Sequence, residues 1–205
     1  MNDKKPLLVE CLTFECPREI LEESMRGNGP FLVKGCLQRA NVENQNGRKY
    51  LKPTLIREAA KYQNEFISER RALGELDHPQ DSVVNLQNVS HNVIEMHWDG
   101  DDLMGTIEIL PTPNGNILKE LFKANIRLGI SSRGMGTVKK DIREDVDVVQ
   151  DDFELIAFDF VSNPSTRGAF MFATSALKEG IVKDSLENRW ESVENIIRDI
   201  LSEIK

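Results

Sequence analysis

The chain has 205 residues, of which 40% are hydrophobic and 29% are charged, a composition typical of a folded globular protein. A chain of this length buries roughly 70% of the surface that it exposes when unfolded, so we expect it to fold without a disulfide or a metal. Its 34 acidic and 26 basic residues give a net charge of −8. That balance argues against direct nucleic-acid binding, because such proteins cluster lysine and arginine to neutralise phosphates.

The cysteines and the N-terminus indicate a protein of the cytoplasm. Cys11, Cys16 and Cys36 are odd in number and lack the spacing of a zinc site, so we expect free thiols in a reducing compartment. Residues 1–10 contain too short an apolar stretch for a signal peptide. No run approaches the ~20 apolar residues of a membrane span. The sequence therefore predicts no membrane association and no cofactor.

The first half of the sequence predicts two strands followed by a long helix. Strand-like stretches cover residues 6–14 and 30–40, and the Asn-Gly pair at 46–47 indicates a turn after them. Pro53 opens a helix that we expect to run to about residue 71, because apolar residues recur there at helical spacing.

The second half predicts a hairpin, further strands and two helices. The expected elements are hairpin strands 89–98 and 103–110, a short helix after residue 116, strands at 130–140, 153–161 and 169–173, and an amphipathic helix from residue 184. The regular βαβ alternation of a doubly wound sheet is missing. The pattern therefore favours an α+β fold, with a mixed barrel or sandwich decorated by helices.

The three histidines fall into two groups. His91 and His97 share one parity of a predicted strand with Glu95 between them, which suggests either a solvated face or a metal site. Positions six apart on a strand lie roughly 20 Å apart, too far to share an ion, so we expect no metal. His78 follows a glycine-containing turn and precedes Pro79, where an imidazole could act as a general base. A lone histidine in a turn is more commonly an ordinary surface residue.

A serine pair begins a glycine-rich segment at residues 129–136. Ser131 or Ser132 could expose a nucleophilic hydroxyl there, and backbone N–H groups with Arg133 could hold an oxyanion. The two glycines at 134 and 136 could also suggest phosphate binding, but the Walker pattern and its lysine are absent. An ordinary loop is the alternative interpretation.

An acidic residue interrupts the apolar run at 155–161. A carboxylate on an apolar strand needs a partner, and Asp159 could orient a catalytic imidazole. A structural salt bridge is the alternative role, and Glu154 is the alternative acid.

These features occur in one order, and in that order the chain resembles the prohead core proteases of large contractile-tailed bacteriophages, distant relatives of the herpesvirus assemblins. Four segments carry the resemblance: the Asn-x-Asn-x-Arg-x-Tyr turn at 44–50, the histidine motif at 74–79, the serine motif at 129–136, and the segment at 159–165.

The resemblance implies an assemblin-like fold, a mostly antiparallel β-barrel surrounded by helices. It implies a serine endopeptidase in which Ser131 is the nucleophile, His78 the general base and Asp159 the acid that orients it, with Ser132 and Arg133 supporting the site. We expect a protease domain at residues 1–175 and a C-terminal helical appendage at 176–205.

The resemblance also implies substrates and a location. Family members cut scaffold and capsid proteins inside the prohead, in the host cytoplasm, after hydrophobic-x-Glu triplets. Leu8-Val9-Glu10 is such a triplet, so we expect a zymogen that cleaves itself after Glu10. A homo-oligomer is expected from the capsid location. The alternative function is a non-catalytic structural or scaffold phage protein of related fold, which would not depend on His78 or Ser131.

Overall fold

The computed structural model describes residues 5–27, 29–77 and 81–162. Its elements in chain order are β1 (Leu7–Phe14), α1 (Arg18–Arg26), β2 (Phe31–Arg39), β3 (Arg48–Lys49), α2 (Lys52–Tyr62), a π-helical turn (Gln63–Ile67), β4 (Leu73–Glu75), β5 (Val89–Asp99), β6 (Asp102–Ile109), α3 (Pro113–Lys123), β7 (Leu128–Met135), β8 (Val138–Asp141), β9 (Val146–Val149) and β10 (Glu154–Val161). None of the helices within these ranges is long and apolar enough to cross a membrane.

The strands form three sheets. Their orders are β1-β7-β10, β2-β6-β5-β4 and β3-β9-β8. All strand pairs are antiparallel except β3 with β9. The mixed α+β class is therefore confirmed. The predicted barrel is not: the described strands belong to three separate sheets, and no closed barrel is found among them.

Most predicted elements of the described part are present, with shifted ends. The hairpin of β5 and β6 is confirmed, and so are β1, β2 and β10. The long helix is shorter than predicted, because α2 ends at Tyr62 and continues only as a π-helical turn. Helix α3 starts before the predicted position, since the Thr112 side chain accepts a hydrogen bond from the Gly115 N–H at 3.0 Å and caps the first turn.

Some elements were not predicted, and others cannot be compared. Helix α1 and the short strands β3, β4 and β9 lack a long apolar period, which is the pattern that sequence reasoning depends on. The strand expected at 169–173, the helix expected from residue 184 and the domain boundary at 175/176 lie outside the described residues.

Strand β7 is the middle strand of its sheet and is covered on both faces, since every residue from Leu128 to Gly134 is buried. Small residues make this cover possible. A Cβ added at Gly134 would lie 2.4 Å from the Phe153 ring and 2.6 Å from the Glu154 carbonyl oxygen. The glycines after the serine pair thus allow close packing against Phe153, in place of the phosphate site that the sequence also suggested.

Strand β4 connects the first two sheets. It pairs with β5 in its own sheet, and Leu76 just beyond it forms a parallel bridge to Phe160 of β10. A Cβ at Gly74 would lie 2.0 Å from the Phe158 carbonyl oxygen, so only glycine permits this approach. The chain leading to the histidine motif is therefore held against β10.

Candidate active site

Ser131 lies in the middle of β7, between one residue from each neighbouring strand. The register pairs it with Cys11 of β1 and with Asp159 of β10. Directly opposed residues of an antiparallel pair project to the same face and have Cβ atoms about 5 Å apart. The sheet therefore brings together Ser131 and Asp159, which are 28 positions apart in the sequence.

The two serines of the pair have different surroundings. Ser131 is 0% exposed, and no hydrogen-bond partner of its Oγ lies within the described part of the chain. Ser132 faces the other side of β7, and its hydroxyl donates to Gln38 Oε1 at 2.8 Å. A buried hydroxyl without a partner costs free energy, so the burial of Ser131 calls for an explanation. The Ser132 hydroxyl is satisfied by Gln38, which gives Ser132 a structural role.

Asp159 is buried, and Arg133 contacts both of its carboxylate oxygens. Its Oδ1 accepts hydrogen bonds from the Glu75 N–H at 3.0 Å and from Arg133 Nη2 at 3.2 Å. Its Oδ2 lies 3.0 Å from Arg133 Nε in an ion pair, which leaves that oxygen able to accept from one more donor. Burial raises the pKa of Asp159 to about 6, against the opposing effect of the Arg133 charge.

Glu75 belongs to the same cluster, although sequence reasoning did not select it. It is 0% exposed, and its Oε1 accepts from Arg133 Nη2 at 3.2 Å and from the Asn85 N–H at 2.9 Å. Its Oε2 has no hydrogen-bond partner among the described residues. The only sequence signal was its place in the histidine motif, three residues before His78.

Tyr62 completes the set of buried polar groups around the cluster. Its hydroxyl has no hydrogen-bond partner within the described ranges. Burial and the nearby Asp159 carboxylate raise the pKa of Tyr62, so this phenol stays protonated at neutral pH.

Arg133 has contacts at every nitrogen of its buried guanidinium. Besides Asp159 and Glu75, it donates from Nη1 to the carbonyl oxygens of Asp81 at 2.6 Å and Val83 at 3.4 Å. The predicted oxyanion role would require some of these contacts to break.

His78 lies outside the described residues, but both flanks of its motif are described. Asp77 has a φ of 69° and donates its N–H to the Phe160 carbonyl oxygen at 2.8 Å. The Leu76 N–H donates to the Asn88 carbonyl oxygen at 3.1 Å. The residue before His78 is thus bonded to the strand that carries Asp159.

Glu154, the alternative acid, lies away from this cluster. It is opposite Met135, at the far end of β7 from Ser131, and its exposed carboxylate pairs with Lys5 at 2.7 Å. Four residues of strand correspond to about 13 Å. Of the two acids, only Asp159 is beside Ser131.

The Asn-x-Asn-x-Arg-x-Tyr motif surrounds a different carboxylate, that of Glu10. Asn44 and Asn46 donate to its Oε2 at 2.6 and 2.7 Å, while Arg48 and the Tyr50 hydroxyl donate to its Oε1 at 2.8 and 3.0 Å. Glu10 is 2% exposed. The alternate residues of the motif together satisfy both oxygens of one buried acid.

The two strand histidines do not form a common site. His91 is buried, donates from Nε2 to the Phe158 carbonyl oxygen at 2.9 Å and accepts at Nδ1 from the Ser90 hydroxyl at 2.8 Å. A register shift between Val93 and Glu95 separates it from His97, which is exposed. Burial lowers the pKa of His91 to about 4. Among the described residues, no group of three or more His, Cys, Asp or Glu side chains could hold a metal ion.

Comparison with known proteins identifies the family to which the chain belongs. The family model described as prohead core protein serine protease matches residues 9–179. The chain is 32% identical over 186 residues to the prohead core protein protease of Enterobacteria phage T4, covering 83% of this chain and 85% of the relative. Its fold is similar to the solved structure of the bacteriophage T4 capsid assembly protease, gp21, with a TM-score of 0.67, 27% identity, and coverage of 78% of this chain and 99% of that one.

These matches support the interpretation of this chain as a peptidase, since the homologous proteins are named proteases. More narrowly, the chain belongs to the prohead core protein serine protease family, whose model spans most of the sequence.

Proposed function

We propose that this protein is a serine endopeptidase that cleaves scaffold and capsid proteins inside the phage prohead during capsid maturation, after hydrophobic-x-Glu sites. One observation carries the proposal for the site. The Asp77 N–H donates to the Phe160 carbonyl oxygen at 2.8 Å, while the preceding residue of that strand, Asp159, is opposite Ser131. Asp77, which directly precedes His78 in the sequence, is therefore bonded to the strand that borders the proposed nucleophile.

The proposed reaction is acyl transfer through a covalent intermediate. Ser131 Oγ forms a bond to the scissile carbonyl carbon while the His78 imidazole takes the hydroxyl proton. The C–N bond then breaks, and the imidazolium gives the proton to the leaving amine. Water, deprotonated by His78, hydrolyses the acyl-enzyme and returns Ser131 to its starting form.

Asp159 is our proposed third member of the site. Its Oδ2 has capacity for one more donor besides the Arg133 Nε contact at 3.0 Å. An imidazole N–H bonded there would be held in one tautomer, and the imidazolium formed during the reaction would be stabilised. Glu75 is the next acid to consider, since its Oε2 has no hydrogen-bond partner in the described part of the chain.

We further propose that the conformation described here is a zymogen. Ser131 is 0% exposed, so a peptide cannot reach its hydroxyl without a rearrangement. Strand β7 is paired along both edges, which occupies the backbone N–H groups around Ser131. The oxyanion donors expected after Ser131 would therefore become available only in the active form.

Self-cleavage after Glu10 remains a proposal with a structural requirement. The bond between Glu10 and Cys11 lies within β1, where these two residues pair with Ser132 and Ser131. Proteases engage extended, accessible chain, so β1 would have to leave β7 before this bond could be cut. Self-cleavage there would therefore follow a rearrangement of β1.

The proposed partners follow from the same assignment. The relatives are named for the prohead core and for capsid assembly, so we propose the scaffold and major capsid proteins as substrates and the prohead interior, within the host cytoplasm, as the location. A homo-oligomer is proposed from the capsid location, and the C-terminal helical appendage at 176–205 from the amphipathic pattern after residue 184.

The test uses three full-length proteins: the wild type, Ser131→Ala and Ser132→Ala. Each is incubated with a scaffold or capsid precursor of the same phage, alone and in assembled proheads, and the fragments and the N-terminus are read by mass spectrometry. We expect wild-type fragments that end in hydrophobic-x-Glu. Ser131→Ala should lose activity by at least about 10⁴-fold, as for other serine nucleophiles. Ser132→Ala should keep its activity.

Other results would change the assignment. Loss of cleavage in Ser132→Ala alone would make Ser132 the nucleophile. No cleavage by any of the three proteins, even in proheads, would favour a non-catalytic structural protein. An intact N-terminus in aged, active wild-type protein would exclude self-cleavage after Glu10 and leave the endopeptidase proposal standing.

A further inference from the structure

Arg133 makes a set of contacts that its place in the serine motif does not explain. Its guanidinium is 0% exposed and is shared among two carboxylates and two backbone carbonyl oxygens. A buried guanidinium with this many acceptors is held in one position, since moving it would leave charged groups unpaired.

The acceptors of Arg133 lie on both sides of the histidine in the sequence. Glu75 precedes residue 78, with 3.2 Å between its Oε1 and Arg133 Nη2. Asp81 follows, with 2.6 Å between its carbonyl oxygen and Arg133 Nη1. The Val83 carbonyl oxygen is a second acceptor on that side, at 3.4 Å.

Glu75 links the same two flanks directly. Its Oε1 accepts the Asn85 N–H at 2.9 Å, so the carboxylate joins the end of β4 to the segment after the histidine. The Glu75 N–H in turn donates to Asp159 Oδ1 at 3.0 Å. Arg133, Glu75 and Asp159 thus link both flanks of residues 78–80 to β7, which carries Ser131, and to β10 beside it. We name these three residues the Arg133 clamp.

We propose that Arg133 is a positioning residue for catalysis, which acts by holding both ends of the His78 segment at a fixed place relative to Ser131. This inference rests on the proposed function, since it assumes that His78 is the general base for Ser131. It replaces the oxyanion role expected for Arg133 from the sequence. Proton transfer depends steeply on the distance between base and nucleophile, so a loosened segment slows the chemical step more than substrate binding.

The side-chain chemistry requires arginine at this position. The clamp uses three nitrogens that point in different directions within one plane, which a guanidinium provides. A lysine ammonium has the same charge but a single nitrogen, so it cannot hold Glu75, Asp159 and the Asp81 carbonyl at once. Arg133→Lys therefore removes the clamp while keeping the charge.

Arg48→Lys is the matched control. Arg48 also pairs with a buried carboxylate, that of Glu10 at 2.8 Å, but this pair is part of the motif around Glu10 and has no contact with the clamp. Both variants replace arginine by lysine in an ion pair with a buried acid. Only Arg133→Lys changes the flanks of the histidine.

The experiment measures kcat and KM of wild type, Arg133→Lys and Arg48→Lys on a peptide that contains a site cut by the wild type. The expected result for Arg133→Lys is a fall in kcat of about 10²-fold with KM within about threefold, the loss typical of a misplaced catalytic group. Arg48→Lys should lower the melting temperature but leave kcat within about twofold. If Arg133→Lys does not fold, Glu75→Gln, which keeps the side-chain shape, should lower kcat about 10-fold for the same reason.

The possible failures can be told apart. An active wild type with kcat unchanged in Arg133→Lys or in Glu75→Gln would overturn the positioning role alone. A rise in KM at unchanged kcat would also overturn it, because Arg133 would then serve substrate binding. An inactive wild type, with Ser131→Ala indistinguishable from it, would overturn the proposed function and this inference together.

Discussion

Glu10 and Asp159 are buried acids on the two strands that flank β7, and they differ in how completely they are bonded. Glu10 accepts four hydrogen bonds from Asn44, Asn46, Arg48 and Tyr50, two on each oxygen. Asp159 shares Arg133 with a second acid, and among the described residues its Oδ2 contacts only Arg133 Nε.

The groups around the two acids differ in the same way. Near Asp159, five buried atoms have no hydrogen-bond partner within the described ranges: Ser131 Oγ, Glu75 Oε2 and Tyr62 OH, together with Asp159 Oδ2 and Arg133 Nε, which lie 3.0 Å apart in an ion pair. Each of these atoms outside the ion pair costs about 1–3 kcal/mol, which selection for stability alone would remove. We therefore expect the satisfied acid to stabilise the fold and the incompletely satisfied cluster to carry the proposed reaction.

The largest effect that would separate the two acids is loss of activity on neutralising Asp159. Asp159→Asn should lower kcat by about 10³–10⁴-fold, because the imidazole loses its orienting carboxylate. Glu154→Gln is the control and should stay within about twofold, since its exposed pair with Lys5 contributes little. Steady-state kinetics on a cleavable peptide measures both. A kcat within 10-fold of wild type in Asp159→Asn would move the acid role to Glu75.

Neutralising Glu10 should have the next largest effect, on stability instead of activity. Glu10→Gln should lower the free energy of unfolding by about 3–5 kcal/mol, because Arg48 loses its buried partner. Urea unfolding in a Ser131→Ala background measures it without self-cleavage. The exposed Glu43→Gln should change stability by less than about 0.5 kcal/mol. A loss below about 1 kcal/mol for Glu10→Gln would show that the hydrogen bonds to Glu10 do not stabilise the fold as proposed.

A smaller effect concerns His91, the buried histidine that bonds to the strand of Asp159. Its pKa is lowered to about 4 from 6.5, so the folded state binds fewer protons than the unfolded state between these values. Stability is therefore lost as pH falls from about 6.5 to about 4, by up to about 3 kcal/mol. His91→Asn should remove this dependence, and the exposed His97→Asn should keep it.

Asp159 must be neutralised in that experiment. Its pKa is raised to about 6, so protonation favours the folded state as pH falls below that value, which opposes the His91 effect. Chemical unfolding at pH 7, 6 and 5 in Asp159→Asn isolates the histidine. An unchanged pH dependence after His91→Asn would show that another group is responsible.

Local pattern predicted much of the fold. The alternation of β1 and β2 is visible in the sequence because one parity of each strand faces the core. The β5–β6 hairpin and β10 were recognised from apolar residues between turns, although parts of these strands are buried on both parities. Strands β3 and β4, of two and three residues, have no such period. Their positions depend on pairing with residues far along the chain, so they could not be predicted.

Part of the candidate site was also predicted, because some of its residues stand out in their local sequence. The serine pair, Arg133 and Asp159 stand out as residue types in an unusual local context. Glu75 does not, because an acid near a turn is ordinary until burial and the contact with Arg133 are known. Asp159 was already preferred to Glu154 from the resemblance, and the β7–β10 register shows that Asp159 is the acid opposite Ser131.

The amino-acid pattern alone predicts the α+β class, most strands of the described part and most residues of the proposed site, whereas Glu75 and Tyr62 were not predicted. The tertiary structure was needed to show that Ser131 is the serine without a hydrogen-bond partner among the described residues, that Asp159 lies opposite it, and what Arg133 binds. Sequence periodicity reports which side of one element is buried, whereas these contacts join distant residues. Arg133 and Asp81 are 52 positions apart, and their contact exists only once the sheets have assembled.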